Sequence, residues 1–402
     1  MNRLLLVLSA VLLLAVASVP LTGSTEASPA GLSSRKSVAN GNTALAVQLY
    51  RELGANEGNL FFSPYSISSA LGMTYAGARG NTADQMKKAL HFQLEQATLN
   101  SAFKGLNKEL MGTAQNSGQK LNIANALVLT GSNVSSRYKE ILKNYYDAEI
   151  FGGGLERING WVKQKTEGKI DRILEQLSAN SVCVILNAIY FKGAWETQFD
   201  TKSTHDAPFS LSANAQVKVP LMYRKDAYKL LDSETFQAIS LPYKGKALSM
   251  VVLLPKSVDG LPAVEQQLTA GNLGEWLSKL DRQPDRKVSV YLPKFKLESG
   301  YDLVSPFQKM GMTDAFSPAA DFTGMGWQKG MLWIGQIKHK AFVEVNEEGT
   351  EAAAATAVEM VTKSMPVREP VFRADHPFFF MIRDNETGTI LFMGRMANPA
   401  GK

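Results

Sequence analysis

The chain has 402 residues, 45% hydrophobic and 20% charged, with a formal net charge of +6. That is ordinary globular composition, enough for one large domain or two smaller ones. So mild a basic balance gives no reason to expect nucleic acid, and a single cysteine, Cys183, excludes an internal disulfide. Stability must then come from a large core. Cys183 sits in the apolar run Val182-Cys183-Val184-Ile185-Leu186 and reads as a buried, inert thiol. The best basic cluster, Lys279 to Lys287, interleaves Arg282, Arg286 and Lys287 with Asp281 and Asp285, as a solvated face does.

Residues 1 to about 23 have the pattern of a signal peptide: Arg3, an apolar run from Leu4 to Leu14, then Ala15-Val16-Ala17. The run is short for a membrane span, and no later stretch approaches about 18 uninterrupted apolar residues. A secreted, extracellular protein without a membrane partner is the expectation. Residues 24–37 are rich in Ser, Gly, Ala and Pro and read as a flexible lead; a single domain follows over 38–402.

Helical spacing opens that domain. Asn42–Leu53 carries Leu45, Val47, Leu49 and Tyr50; Ser63-Pro64 starts a second helix with Ile67, Leu71 and Tyr75 on one face. Thr82–Leu90 and roughly Gln96–Met111 are further amphipathic helices. Strand signals follow at Val182–Phe191, Leu248–Leu254, Val288–Phe295 and Phe342–Val345. Phe378–Ile382 and Ile390–Met393 flank Asn385-Glu386-Thr387-Gly388 as a hairpin. Helices mostly first and strands mostly later predict an α+β fold. Two N-glycosylation sequons occur, at Asn133 and Asn385, the latter in the hairpin turn.

Between the last two strand groups lies the segment Glu347-Glu348-Gly349-Thr350-Glu351-Ala352-Ala353-Ala354-Ala355-Thr356-Ala357-Val358-Glu359-Met360. Its Ala and Glu content favours a helix. Period two makes it a strand, with Thr350, Ala352, Ala354, Thr356, Val358 and Met360 on one face and both Glu351 and Glu359 on the other. A segment legible both ways suits a loop exposed in one state and a buried strand in another.

Enzymatic motifs are missing. There is no Gly-x-Ser-x-Gly, His-Glu-x-x-His, Walker A or paired Cys motif, and His91, His205, His339 and His376 stand apart from one another. The expectation is no enzyme, no metal and no cofactor.

Several blocks resemble the serpin family: Asn59-Leu60-Phe61-Phe62-Ser63-Pro64-Tyr65-Ser66-Ile67-Ser68, Gly77-Ala78-Arg79-Gly80-Asn81-Thr82, Asn187-Ala188-Ile189-Tyr190-Phe191-Lys192-Gly193-Ala194-Trp195, Leu292-Pro293-Lys294-Phe295, Asp321-Phe322-Thr323-Gly324, His376-Pro377-Phe378 and Leu391-Phe392-Met393-Gly394-Arg395. They run in serpin order over residues 38 to 399 or so. The resemblance implies three β-sheets, about nine helices and an exposed reactive-centre loop. It makes Glu347, Glu348, Gly349, Thr350, Ala352, Ala353, Ala354 and Ala355 an inhibitory hinge. It also makes Ser63, Ser66, Asn187 and His339 the polar shutter under the main sheet, and Trp195, Lys294 and Glu347 the breach where insertion starts.

In such inhibitors a protease cleaves the loop, becomes acylated, and is dragged and distorted as the loop enters the sheet. Counting fourteen residues from Gly349 places the reactive bond at Lys363-Ser364, which fits the acidic primary pocket of a trypsin-like serine protease. Arg368 is the rival bait, and Met360 and Met365 are weaker ones for chymotrypsin-like or elastase-like proteases. The implied protein is a monomer that forms a covalent complex with its target. Lys104 and Lys108 lie where some serpins bind heparin, but the sparse spacing gives such a glycan only weak support. The other reading is a non-inhibitory serpin acting as carrier or chaperone, whose hinges often hold bulky, charged or Pro residues.

Overall fold

The computed structural model describes residues 29–55, 57–129, 133–177, 183–350 and 369–401. The expected signal peptide lies outside them, as do Ala352–Ala355, Met360, Lys363, Ser364, Met365 and Arg368 of the loop. Nine α-helices are described: α1 Pro29–Leu53, α2 Pro64–Tyr75, α3 Gly80–Ala89, α4 Gln96–Asn116, α5 Ser136–Ile141, α6 Leu155–Lys165, α7 Leu261–Gln267, α8 Ala270–Asp281 and α9 Val304–Lys309. The strands through the middle of the chain are β1 Leu60–Phe62, β2 Lys120–Leu129, β3 Glu149–Phe151, β4 Cys183–Ala194, β5 His205–Ser212, β6 Ala215–Asp232, β7 Phe236–Pro242 and β8 Leu248–Pro255. Then come β9 Asp285–Pro293, β10 Phe295–Asp302, β11 Ile334–Val345, β12 Gly349–Thr350, β13 Val371–Arg373, β14 Phe378–Asp384 and β15 Ile390–Met396.

The smaller sheet has the order β10-β11-β4-β2-β3, with β12 added on β4. The larger runs β1-β15-β14-β8-β7-β6-β9-β13, with β5 on β6. Two of the three expected sheets hydrogen-bond as this one system because they share β6. That strand pairs with β5 and β9 along most of its length and with β7 at its end. No helix among the described residues is long and apolar enough to cross a membrane.

The apolar run in β4 is a strand because both of its faces are covered. Cys183, Ile185, Ile189 and Phe191 enter the main core, while Val184, Leu186, Ala188 and Tyr190 enter a second cluster with Ile158, Trp161 and Val162 of α6. Each such side chain contributes about 1.5–3 kcal/mol. α2 begins where the sequence says it should: Ser63 caps it by accepting from the Ser66 amide, and Pro64 takes the first helical position.

Two expectations need correction. The flexible lead is not one throughout: α1 starts at Pro29, and Arg35 is ion-paired with Glu109 of α4 at 2.7 Å. The run Val288–Phe295 is two strands, β9 and β10, that meet at Lys294, whose amide donates to Pro220 O of β6 before the chain crosses to the smaller sheet.

Candidate functional site

Strands β11 and β4 form a parallel seam in the middle of the smaller sheet. β11 and β4 pair directly from Ile334↔Cys183 to Phe342↔Tyr190. Above Tyr190 β11 turns away, and the chain reverses through Asn346–Gly349, closed by Asn346 N to Gly349 O at 2.9 Å. β12 then starts antiparallel on β4, with Gly349 opposite Ala194 and Thr350 opposite Gly193. Gly349 has φ +145, and a Cβ there would run into the backbone of Gly193, Ala194 and Trp195. Only glycine allows this approach.

The top of the seam is tied down by the breach residues. Trp195, 3% exposed, stacks on Tyr243 with centroids 4.7 Å apart. Its amide donates to Glu348 O and its indole Nε1 to Asn346 O, both at 3.0 Å. The Phe199 amide holds Glu347 O at 2.8 Å. The Glu347 carboxylate meets Lys294 Nζ at 2.8 Å and accepts from Thr204 Oγ1 at 2.8 Å. Burial alone would raise its pKa; the bonds from Lys294, its own backbone and Thr204 outweigh that and leave it lowered. Trp195, Lys294 and Glu347, expected at one site, lie beside one another here; Thr204 and Phe199, which hold Glu347 through a hydroxyl and a backbone amide, carry no motif and are not among the expected residues.

Lower down, a polar rung crosses three strands at one level. Asn187 of β4 faces His339 of β11 on one side and Asn125 of β2 on the other. His339 Nδ1 lies 2.6 Å from Asn187 Oδ1, and the Ser63 amide donates to His339 Nε2 at 3.1 Å. Nε2 accepts, so Nδ1 carries the hydrogen and the ring is neutral. Asn187 Nδ2 donates to Ser66 O, Ser66 Oγ and Asn125 Oδ1. Asn125 Nδ2 continues to Ser69 Oγ at 3.2 Å, and Ser63 Oγ reaches Leu391 O. The four expected shutter residues therefore share one buried network, which Asn125 and Ser69 extend. Asn125 was legible in principle: it is the lone amide at a core-facing position of β2, between Leu121 and Leu127.

Burial lowers the His339 pKa to about 3. The unfolded chain binds a proton near pH 6.5, the native ring does not, and so native stability falls as pH drops from about 6.5 toward 3. The slope from this group approaches about 1.4 kcal/mol per pH unit. His339→Gln, which can still accept from Ser63 and donate to Asn187, is expected to flatten that fall. Urea midpoints at pH 7 and 5 check it; an unchanged pH slope in the variant would assign the effect to other groups.

The chain that resumes at Glu369 is also anchored. β13 pairs with β9, Ser289 N donates to Pro370 O at 3.0 Å, and Lys225 meets Glu369 at 2.6 Å. Of the sequon residues, Asn133 is exposed. Asn385 is exposed but its Nδ2 donates to Lys246 O and Ser249 Oγ, both at 2.8 Å. Its Thr387 hydroxyl is buried against Asp384 and Thr389.

A family model described as serpin (serine protease inhibitor) matches residues 40–399. The leukocyte elastase inhibitor of Sus scrofa is 42% identical over 380 residues, covering 89% of this chain and 98% of that protein. Among solved structures, human thyroxine-binding globulin has a TM-score of 0.83 at 29% identity, covering 92% of this chain and all of that one. The thermophilic serpin tengpin in its native state has a TM-score of 0.81 at 29% identity, covering 90% and 94%. The expectation stated only as "no enzyme" is corrected by these relatives: they are named as inhibitors, a positive activity rather than the absence of one.

Proposed function

The chain belongs to the serpin family, and we propose that it is an irreversible suicide-substrate inhibitor of a trypsin-like serine protease. The observation that carries this is the start of β12 on β4. Continued residue by residue, its register would set Ala352 opposite Phe191, Ala354 opposite Ile189, Thr356 opposite Asn187, Val358 opposite Ile185 and Met360 opposite Cys183. Those β4 partners all face the main core or its polar rung. The other loop face would meet Tyr190, Ala188 and Leu186 beneath α6, where Ala353, Ala355 and Ala357 are small, and Glu351 would lie across from Lys192.

A strand entering there must part β4 from β11 and break the His339–Asn187 bond, with Thr356 arriving at the same level. Burying Val358 and Met360 is worth about 1.5–3 kcal/mol each. Two antiparallel ladders in place of one parallel ladder add on the order of ten hydrogen bonds at about 0.5–1.5 kcal/mol net. The total, of order 10 kcal/mol, makes the native form a kinetically trapped state and insertion effectively irreversible.

Lys363 is favoured over Arg368 as the bait. Arg368 adjoins Glu369 and Pro370, which Lys225 and Ser289 pin to the body, whereas a protease needs extended chain on both sides of the bond it cuts. The relative named as an elastase inhibitor acts on an enzyme with a small primary pocket, so the bait, not the scaffold, sets the target class. The carrier reading draws on the likeness to thyroxine-binding globulin. The run Thr350 to Ala357 has no Pro, and its one charged residue, Glu351, would fall on the α6-side face opposite Lys192, which favours insertion instead.

Mixing the protein with trypsin is expected to give a covalent complex that survives boiling in detergent. Clipped inhibitor with fully active trypsin would refute the proposal. We further propose secretion after removal of about 23 residues, with a glycan at Asn133 and none at Asn385, whose amide nitrogen is already doubly engaged. Peptide mass spectrometry of protein from a secreting cell checks both points; a retained leader would refute the first and a glycan at Asn385 the second.

A further inference from the structure

Behind the breach lies a cavity of about 210 Å³. Its floor is formed by Trp195, Phe199, Tyr228 and Leu241, each no more than 6% exposed. Its rim carries three carboxylates, Glu196, Asp226 and Asp285, against one Lys246. Two of the three are engaged: Asp226 by Arg224 at 3.0 Å, and Glu196 by the Gly245 amide at 2.9 Å. The Asp285 carboxylate has no hydrogen-bond or ion-pair partner among the described residues. A carboxylate without a partner beside an apolar floor selects a cation over an anion.

We propose that this cavity binds a small organic cation, a primary amine on a single aromatic ring, with its ammonium on Asp285 and its ring on the aromatic floor. The site is coupled to the hinge, because the backbone amides of two floor residues, Trp195 and Phe199, hold Glu348 O and Glu347 O. An occupied cavity stiffens that wall and favours the closed hinge over strand entry. This consequence rests on the inhibitory reading; the binding does not.

The probe is 2-phenylethylamine, titrated calorimetrically into the intact protein, with 3-phenylpropionate as its anionic counterpart. Binding of the amine, at least tenfold weaker binding to Asp285→Asn, and no detectable binding of the carboxylate are expected. Hydrogen exchange at the Trp195 and Phe199 amides should slow severalfold when the amine is bound. Equal binding of both probes, or unchanged affinity in Asp285→Asn, overturns the site; unchanged exchange overturns its coupling to the hinge. Asp285 is exposed at the start of β9, so its substitution leaves the fold intact. Neither measurement involves a protease, so its failure stands apart from failure of the inhibitory proposal.

Discussion

Thr350→Arg is expected to abolish the covalent complex with trypsin and leave a protein that is cleaved like any substrate. Residue 350 ends β12 and already pairs with Gly193 of β4, so it leads the strand when the loop extends. If the proposed register holds, that position would share the core-side face with 352 and 354, opposite Gly193, where a Cβ would already press on Phe191 and Tyr243. Burying an unpaired guanidinium among such rings costs several kcal/mol. Inhibition is a race between strand entry and deacylation, and each 1.4 kcal/mol added to the entry barrier slows it about tenfold. A penalty of that size hands the race to deacylation. Gel densitometry of complex against clipped protein measures the partition; an unchanged yield would sink the insertion mechanism, because the side chain would then never have been buried.

Lys363→Ala should lower the rate of trypsin inhibition by about four orders of magnitude, the scale on which a site built for a polar or charged group rejects one that lacks it. The hinge is untouched, so the variant should still gain thermal stability when a different protease cuts the loop, which separates loss of bait from loss of insertion. Undiminished inhibition, with cleavage mapped after Arg368, would move the reactive bond to the pinned end of the loop and contradict the accessibility argument drawn from Glu369 and Pro370.

Much of this was legible before any coordinates because local rules and tertiary demands coincide. Ser63-Pro64 spells a helix start, and Ser63 does cap α2. The unbroken apolar run around Cys183 requires two covered faces, and β4 has them. Where the rules diverge, the sequence is quiet. Strand β6 alternates only loosely over its 18 residues because it serves three ladders with different exposures. β2 was passed over for similar reasons: its Asn125 reads as a break in an apolar face until its partner across the sheet is known. Thr204, Phe199 and Ser289 act through a hydroxyl or a backbone amide, and no spacing in the sequence announces such contacts. The loop itself was readable as two structures because its composition satisfies both.

The polar rung joining Asn125, Asn187 and His339 has one more consequence. The seam it closes recognises a strand by backbone and small side chains, not by whose strand it is. The molecule's own loop wins by proximity, since a tethered segment behaves as though present at millimolar concentration. It is also held at both feet until cut. Any substitution that loosens the rung before cleavage therefore opens the seam while the resident loop is still restrained, and at high protein concentration a neighbour's loop can fill it. Weakening at this one level would then appear not as lost folding but as head-to-tail association of intact molecules, growing with concentration.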